Sequence, residues 1–302
     1  MKPFKVDFFV VGAARCGTTS LYNYLNQHPE IFLPNIKELN HFSGVESKEH
    51  SDYKKPKSDQ EYHTKIIKSP EIYKSLFDNA KEEQQRGDIS PSYLSNNTTA
   101  QRIFDHNPDA KIIISLRNPV QRAFSHYVMN FGVGYDRNES FEEALKANRE
   151  QIWGGGNLYL ELSNYLRPVE SYYQLFNKKN IHLLIFEEWT KNKDRTMEGI
   201  FDFLGVDSGF NVNHDIKHNE KVAYKNIRTL NVLRNKYIKN FIEVFLFTKA
   251  KDRIKSKWFK KDNFDMHLSP KTEKELNNSF IDEVEQLEHL VGITLLKKWG
   301  LR

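Results

Sequence analysis

The chain has 302 residues, 38% of them hydrophobic and 28% charged, with 14 Gly and 10 Pro; this excludes disordered and collagen-like classes and allows one substantial core. Its 45 Lys and Arg exceed 40 acidic residues by only five, a mild positive balance that fits an anionic small molecule or acidic polymer as well as nucleic acid. The single cysteine, Cys16, rules out an intramolecular disulfide framework, and the apolar run at 8–11 is far short of a signal or membrane segment, so a cytoplasmic protein is expected.

From the amino end, FKVDFFVVG (4–12) is rich in Val and Phe and closes on Gly12, which predicts a buried parallel strand feeding a tight turn. TTSLYNYLNQH (18–28) then sets Leu21, Tyr24 and Leu25 at helical spacing, with Pro29 just past the end. Residues 43–70 have almost no apolar period and read as a surface excursion. RGDISPSYL (86–94) predicts a short strand halted at Pro91, and DAKIIISLRNP (109–119) a clearer strand whose Ile-rich centre is covered on both faces. Pro119 suits the first turn of a helix that VQRAFSHYVMNF continues. A fourth strand is expected over 181–189, with helices around 158–177 and 193–204. From 226 the chain reads helical and basic, with an aromatic and basic run over 241–261 and a final helix near 271–298. Strands alternating with helices argue for an α/β fold: a central parallel sheet flanked by helices, with a helical C-terminal part, in one domain over 1–302.

VVGAARCGTTSLYNYL (10–25) raises the chemical question. Gly12 and Gly17 fit the glycines of the phosphate-binding pattern G-x-x-x-x-G-K-[ST] and Thr19 fits its magnesium-holding hydroxyl, but Thr18 stands where the lysine belongs. Loop N–H groups and the positive end of the next helix suit any phosphate-like anion, whereas the lysine answers the β and γ oxygens of phosphoryl transfer. ATP turnover is therefore disfavoured, while Arg15 brings a forked cation into the loop. Alone, the segment also fits a glycine turn without a ligand. In SLRNPVQRAFSHY (115–127), Arg117 sits at the carboxyl end of the best strand, where open α/β sheets place ligands, and Ser125 follows on the next helix. The pair suits a second phosphate, or equally an arginine paired with a carboxylate beside a solvated serine. LPNIKELNHFS (33–43) packs Lys37, Glu38 and His41 into a loop near the same sheet mouth, where a carboxylate or imidazole can take a proton from an attacking hydroxyl or amine. Singly, each also reads as a surface group.

FFVVGAARCGTTSLYNYLNQHPEIFLPNIKELNHF, GDISPSYL and AKIIISLRNPVQRAFSHY, in that order and spacing, resemble the sulfotransferases that use 3′-phosphoadenylyl sulfate (PAPS), especially the branch of carbohydrate and heparan-type enzymes. The similarity runs over about 6–205. It implies a P-loop NTPase-like sulfotransferase fold, PAPS as donor, adenosine 3′,5′-bisphosphate as product and no required metal. It also implies that Arg15, Cys16, Gly17, Thr18, Thr19 and Ser20 hold the 5′-phosphosulfate, and Arg117 and Ser125 the 3′-phosphate. Glu38 matches the family's general base, with Lys37 assisting; His41 stands where the family often has an aromatic residue and reads as structural. Ser163 and Tyr165 fall at nucleotide-contact positions, and Lys221, Lys225 and Arg228 in a late basic segment that suits the 3′-phosphate. Ile89 stands where some carbohydrate enzymes have a lysine, and Asp88, Ser90 and Tyr93 are acceptor-site candidates.

The nearest rival is a P-loop nucleotide or small-molecule kinase, which must explain Thr18. A nucleic-acid module needs a concentrated basic face, and Glu243, Asp252 and Asp262 interrupt the late basic runs, so no nucleic-acid partner is expected. A saccharide hydroxyl is the first acceptor expected, then a lipid or small metabolite, met by loops over 43–70 and 130–160.

Overall fold

The computed structural model describes residues 4–44, 66–96, 98–132, 135–147, 158–215 and 266–302. Five parallel strands, β1 (Phe8–Gly12), β2 (Ile31–Phe32), β3 (Gln85–Ile89), β4 (Lys111–Leu116) and β5 (Ile181–Ile185), form one sheet in the order β2-β3-β1-β4-β5. Among the described residues the helices in chain order are α1 (Thr18–Leu25), α2 (Pro70–Ser75), α3 (Thr99–His106), α4 (Pro119–Gly132), α5 (Phe141–Lys146), α6 (Leu166–Leu175), α7 (Phe186–Trp189), α8 (Lys193–Leu204), α9 (Pro270–Val291) and α10 (Leu295–Lys298). From β1 the chain crosses to the edge strand β2, comes back to β3 beside β1, and then passes to the other side through β4 and β5. That reversal makes the carboxyl ends of β1 and β4 a topological switch point, the place where open α/β sheets leave a crevice.

Both faces of the central strands are covered, so their apolar runs are continuous. The period-2 alternation still sorts the side chains. Phe9, Val11, Ile112 and Ile114 share one core with Ala100 and Ile103 of α3, Val169 and Tyr172 of α6, and Phe280, Val284 and Leu287 of α9. Phe8, Val10 and Ile113 face the other way, against Leu21 and Leu25 of α1 and Met197, Ile200 and Phe201 of α8. Phe8 pairs across the ladder with Gly87, and a Cβ there would lie 2.1 Å from the Phe8 ring, so the side-chain-free residue lets the phenyl fill that face.

The α/β reading holds, and the departures from expectation have local causes. The strand expected over 181–189 stops at Ile185, because Phe186–Trp189 turn helically to bring their aromatic rings under the β1–α1 loop. The helix expected over 158–177 is regular only from Leu166 to Leu175; before it, Glu161–Ser163 form a 3-10 turn tied to α4 through Ser163. The final helix divides at Gly292, which ends α9 with φ 73°. The surface excursion ends in the core: Ile66 and Ile67 are buried, and Ile67 N–H donates to Leu39 O at 3.0 Å. Residues 45–65 and the basic segment over 226–261 lie outside the described residues. No helix among the described residues is long and apolar enough to cross a membrane.

Candidate active site

At the end of β1, Ala13 N–H still donates to Ser115 O of β4 (2.7 Å), and the chain then curls so that Cys16 N–H returns to Ala13 O (3.2 Å). Arg15 and Gly17 both adopt left-handed backbone, φ 70° and 84°. The first bond of α1 runs from Leu21 N–H to Gly17 O (3.0 Å), so the N–H groups of Thr18, Thr19 and Ser20 precede the helical ladder, and no acidic side chain sits in this first turn. These amides and the helix dipole make a cradle for an anion. The loop is fixed from behind: Ser115 Oγ donates to Cys16 O (2.7 Å) and accepts from Trp189 Nε1 (3.1 Å). The indole leaves no room at Gly17, where a Cβ would stand 2.1 Å from its ring. The Cys16 side chain is fully buried and burial pushes its thiol up to about 12, so Cys16 offers the loop its backbone rather than a nucleophile.

The cations come from the neighbouring strand and helix. Arg117 follows β4, lies over the Phe186 ring at 4.8 Å, and reaches back to Arg15 O (3.5 Å). Arg15 donates through Nε and Nη2 to Ser125 Oγ (3.2 and 3.1 Å) and through Nη1 to Met129 Sδ (3.3 Å). Arg122 is buried nearby, and Arg15 is held below the usual arginine range by burial first and then by Arg117 and Arg122. None of the three joins an ion pair among the described residues. The structure thus brings Arg15, Gly17, Thr18, Thr19, Ser20, Arg117 and Ser125 together at the switch point. Tyr165 lies beneath them at 1% exposure, its hydroxyl donating to Arg117 O (3.0 Å). Ser163 does not face a ligand: it is fully buried, accepting from Arg122 and donating to Pro119 O (2.8 Å).

On the β3 side, Lys37 and Glu38 form a close ion pair, with the lysine side chain 6% and the glutamate 15% exposed. Glu38 and Asn40 take left-handed φ values of 64° and 54°. Asn40 pins the turn by donating from Nδ2 to Glu38 O (2.8 Å), accepting from Ser92 Oγ (2.6 Å) and offering its N–H to Ser90 Oγ (3.1 Å). His41 packs into the fold: Nδ1 donates to Ile67 O, the ring stacks on Tyr73 at 4.2 Å, and burial lowers its basicity. The acceptor reading of Asp88, Ser90 and Tyr93 is corrected. Asp88 is buried and accepts from Tyr73 (3.0 Å), Tyr93 (2.6 Å) and Ser90 (2.7 Å), so these groups are spent on each other. Burial pushes the Asp88 carboxyl up to about 6 against the opposing pull of the three hydroxyls. Ile89 is buried in the α1–α8 core. Lys221, Lys225 and Arg228 lie outside the described residues.

The Sulfotransferase family model matches residues 7–210, more than half of the chain and all of the segments just described. The chain belongs to the sulfotransferase family. It is similar to the membrane-associated sulfotransferase kil1 of Dictyostelium discoideum, 27% identical over 219 residues that cover 62% of this chain and 41% of that protein. It is also similar to human carbohydrate sulfotransferase 15, 22% identical over 244 residues, 66% of this chain and 43% of that protein. The chain therefore spans less than half the length of these curated relatives. Among solved structures, a sulfotransferase from Alicyclobacillus acidocaldarius superposes with a TM-score of 0.71 at 28% identity over 99% of both chains. Mouse sulfotransferase SULT7A1 complexed with PAP shares the fold, with a TM-score of 0.52 at 15% identity over 99% of this chain and 89% of that one.

In this member of the family the donor set fits a nucleotide carrying two separated anionic groups. Among the described residues the three N–H groups and the guanidinium cluster have no competing carboxylate partner, and the loop lacks the lysine a γ-phosphate would need. Several supporting residues escape a sequence reading. Ser115 and Trp189 fix the loop from strand-like runs, Phe186 underlies Arg117, and Asn40 braces Glu38. Arg122 carried one legible signal, its place on the same helix as Ser125 and five residues after Arg117.

Proposed function

We propose that this sulfotransferase moves a sulfuryl group from PAPS to a hydroxyl or amine of an acceptor, a saccharide in the first instance. The observation that carries this reading is the lysine-free cradle of Gly17–Ser20 opening onto Arg15, Arg117 and Ser125, with no carboxylate ion-paired to the cations among the described residues. Bound PAPS supplies an activated sulfuryl group: its sulfur bonds to the acceptor atom as the S–O bond to the 5′-phosphate breaks, and adenosine 3′,5′-bisphosphate leaves with the electron pair. The loop N–H groups of Thr18, Thr19 and Ser20, with Arg15, hold and stabilise the charge that gathers on the departing phosphate. Arg117 and Ser125 grip the 3′-phosphate, Arg15 exchanging its bond to Ser125 for ligand oxygens. Glu38 takes the acceptor proton on its carboxylate, and buried Lys37, ion-paired to it, fixes that carboxylate in place. The saccharide acceptor is supported by the similarity to carbohydrate sulfotransferase 15. The kinase alternative is not favoured, since Thr18 stands at the lysine position and the chain belongs to another family.

Calorimetric titration of the wild type and of Arg117→Ala with adenosine 3′,5′-bisphosphate, and in parallel with ATP plus magnesium, tests the donor site. Tight bisphosphate binding that weakens about 10- to 100-fold in the variant is expected, as for loss of a charge-assisted contact. A preference for magnesium-ATP would overturn the reading. An acceptor screen with PAPS then separates saccharides from lipids and small metabolites.

A further inference from the structure

Arg122 is an anomaly in the folded chain. Its side chain is among the largest that are fully buried, yet it joins no ion pair among the described residues. Nε donates to Ser163 Oγ at 2.6 Å and Nη2 to the carbonyl of Tyr159, both neutral acceptors, and Nη1 has no partner among the described residues. The surroundings supply little compensation. Arg117 repels it, while Tyr165 and Cys16, the groups that would attract it most when ionised, are themselves held neutral by burial. The attraction of Glu161 is the weakest of these influences. His126, buried on the same helix with Nδ1 unpartnered among the described residues, is driven to the neutral form by burial and by Arg122 and Arg15. A buried charge without a counter-ion is costly, and proteins keep one where its field serves something else.

What lies within that field is the switch-point crevice. Arg122 interacts electrostatically with both Arg15 and Arg117. Its hydrogen bonds fasten the 159–163 segment to α4, and Tyr165, two residues on, holds the carbonyl of Arg117. We propose that Arg122 is a positioning residue of the donor site: its buried positive charge, which touches no ligand, is balanced by the donor's phosphate groups and strengthens their binding. This rests on the donor reading above. It places part of the affinity beneath the surface, where a dielectric lower than that of water lets charge act over several ångströms.

The test sets fold stability against affinity. In Arg122→Met, a shape-similar residue without charge, adenosine 3′,5′-bisphosphate is expected to bind about tenfold weaker or worse, while the melting temperature of the ligand-free protein is equal to or above that of wild type. Arg122→Lys, which restores charge without the fork, should recover affinity to within about threefold of wild type. A residue that merely holds the fold together gives the opposite pattern: Arg122→Met melts lower and its folded fraction binds normally, which would overturn the proposal. If the methionine variant does not accumulate, the lysine variant decides, because a tenfold affinity loss at normal melting temperature would show that the fork and not the charge matters. Inorganic sulfate serves as a nucleotide-independent probe. If wild type ignores the bisphosphate but is stabilised by sulfate in an Arg122-dependent way, the donor assignment fails and the role of Arg122 in anion binding stands. If the sulfate response is the same in Arg122→Met, the proposal fails with it.

Discussion

At the β1–α1 loop three guanidinium groups gather without a carboxylate ion pair among the described residues, whereas one strand away, around Asp88, the acid is met by three hydroxyls and the neighbouring turn is closed by Asn40, Ser90 and Ser92. Both regions are polar and both sit at the carboxyl ends of parallel strands. They differ in whether their electrostatics are complete. A polar cluster whose donors and acceptors already match is scaffold, and its removal disturbs the fold; a cluster left one-sided in charge is where a ligand's charge belongs. The Lys37–Glu38 pair stands between the two cases, matched in charge yet still partly open at the glutamate.

That contrast breaks most sharply at Glu38. If its carboxylate is the base, Glu38→Gln should lower the sulfuryl-transfer rate constant by about 10²- to 10⁴-fold. Affinity for adenosine 3′,5′-bisphosphate should stay within a few-fold, because among the described residues Glu38 shares no ion pair with the donor cradle and its pull on Arg15 is the weakest of the influences on that guanidinium. Single-turnover kinetics with PAPS alongside calorimetry makes the comparison. A variant that turns over normally removes Glu38 from the chemistry, and one that loses donor binding shows that the two regions are not separate. The melting temperature must be read too, because the substitution leaves the Lys37 ammonium buried beside an amide.

Gly17→Ala should act on the one-sided region through its backbone. Left-handed φ and a collision with Trp189 together cost about 2–4 kcal/mol. Thermal or urea unfolding reads that loss, and Trp189→Leu in the same chain should return part of it by vacating the space. Strict additivity of the two substitutions would show that the indole is not what the new methyl meets. Tyr165→Phe removes one hydrogen bond to Arg117 O and should cost about 0.5–1.5 kcal/mol. Bisphosphate binding should fall a few-fold in calorimetry, and an unchanged affinity would mean that the Phe186 ring and the contact with Arg15 O hold Arg117 in place without Tyr165.

The one-sided region was legible in the sequence because its signals are local. A Val- and Phe-rich run closing on glycines, and an Ile-rich run closing on Arg117, each announce a strand end, and parallel topology brings such ends together. The matched region was misread for the converse reason. Asp88, Ser90 and Tyr93 have the same letters whether they face an acceptor or one another, and only the arrival of Tyr73 from α2 decides which. Trp189 was hidden in a run that reads as strand, and Ile67 in a polar stretch with too few apolar residues to show a period. The burial of Arg122 depends on the 159–163 segment folding back across α4, which no local pattern announces.

A drift of stability with pH separates the regions once more, since the buried acids that cause it lie outside the cation cluster. Burial pushes Asp88 up to about 6 and Glu283, which accepts the Leu166 N–H at the start of α6, up to about 7. In both, the folded state favours the protonated acid more than the unfolded chain does. Their stabilising contribution is therefore complete near pH 4 and is lost as the pH climbs through 6 and 7, opposite in sign to a salt-bridged carboxylate. Wild type should lose melting temperature gradually across this window. Asp88→Asn should flatten the lower part, because an amide keeps an acceptor for Tyr73 and Tyr93 and the hydroxyls can rotate to meet its N–H groups, and Glu283→Gln the upper part. If the Asp88→Asn curve instead runs parallel to wild type from pH 4 to 6.5, Asp88 titrates alike in the folded and unfolded chain, water reaches the network, and β3 becomes a candidate for acceptor binding again.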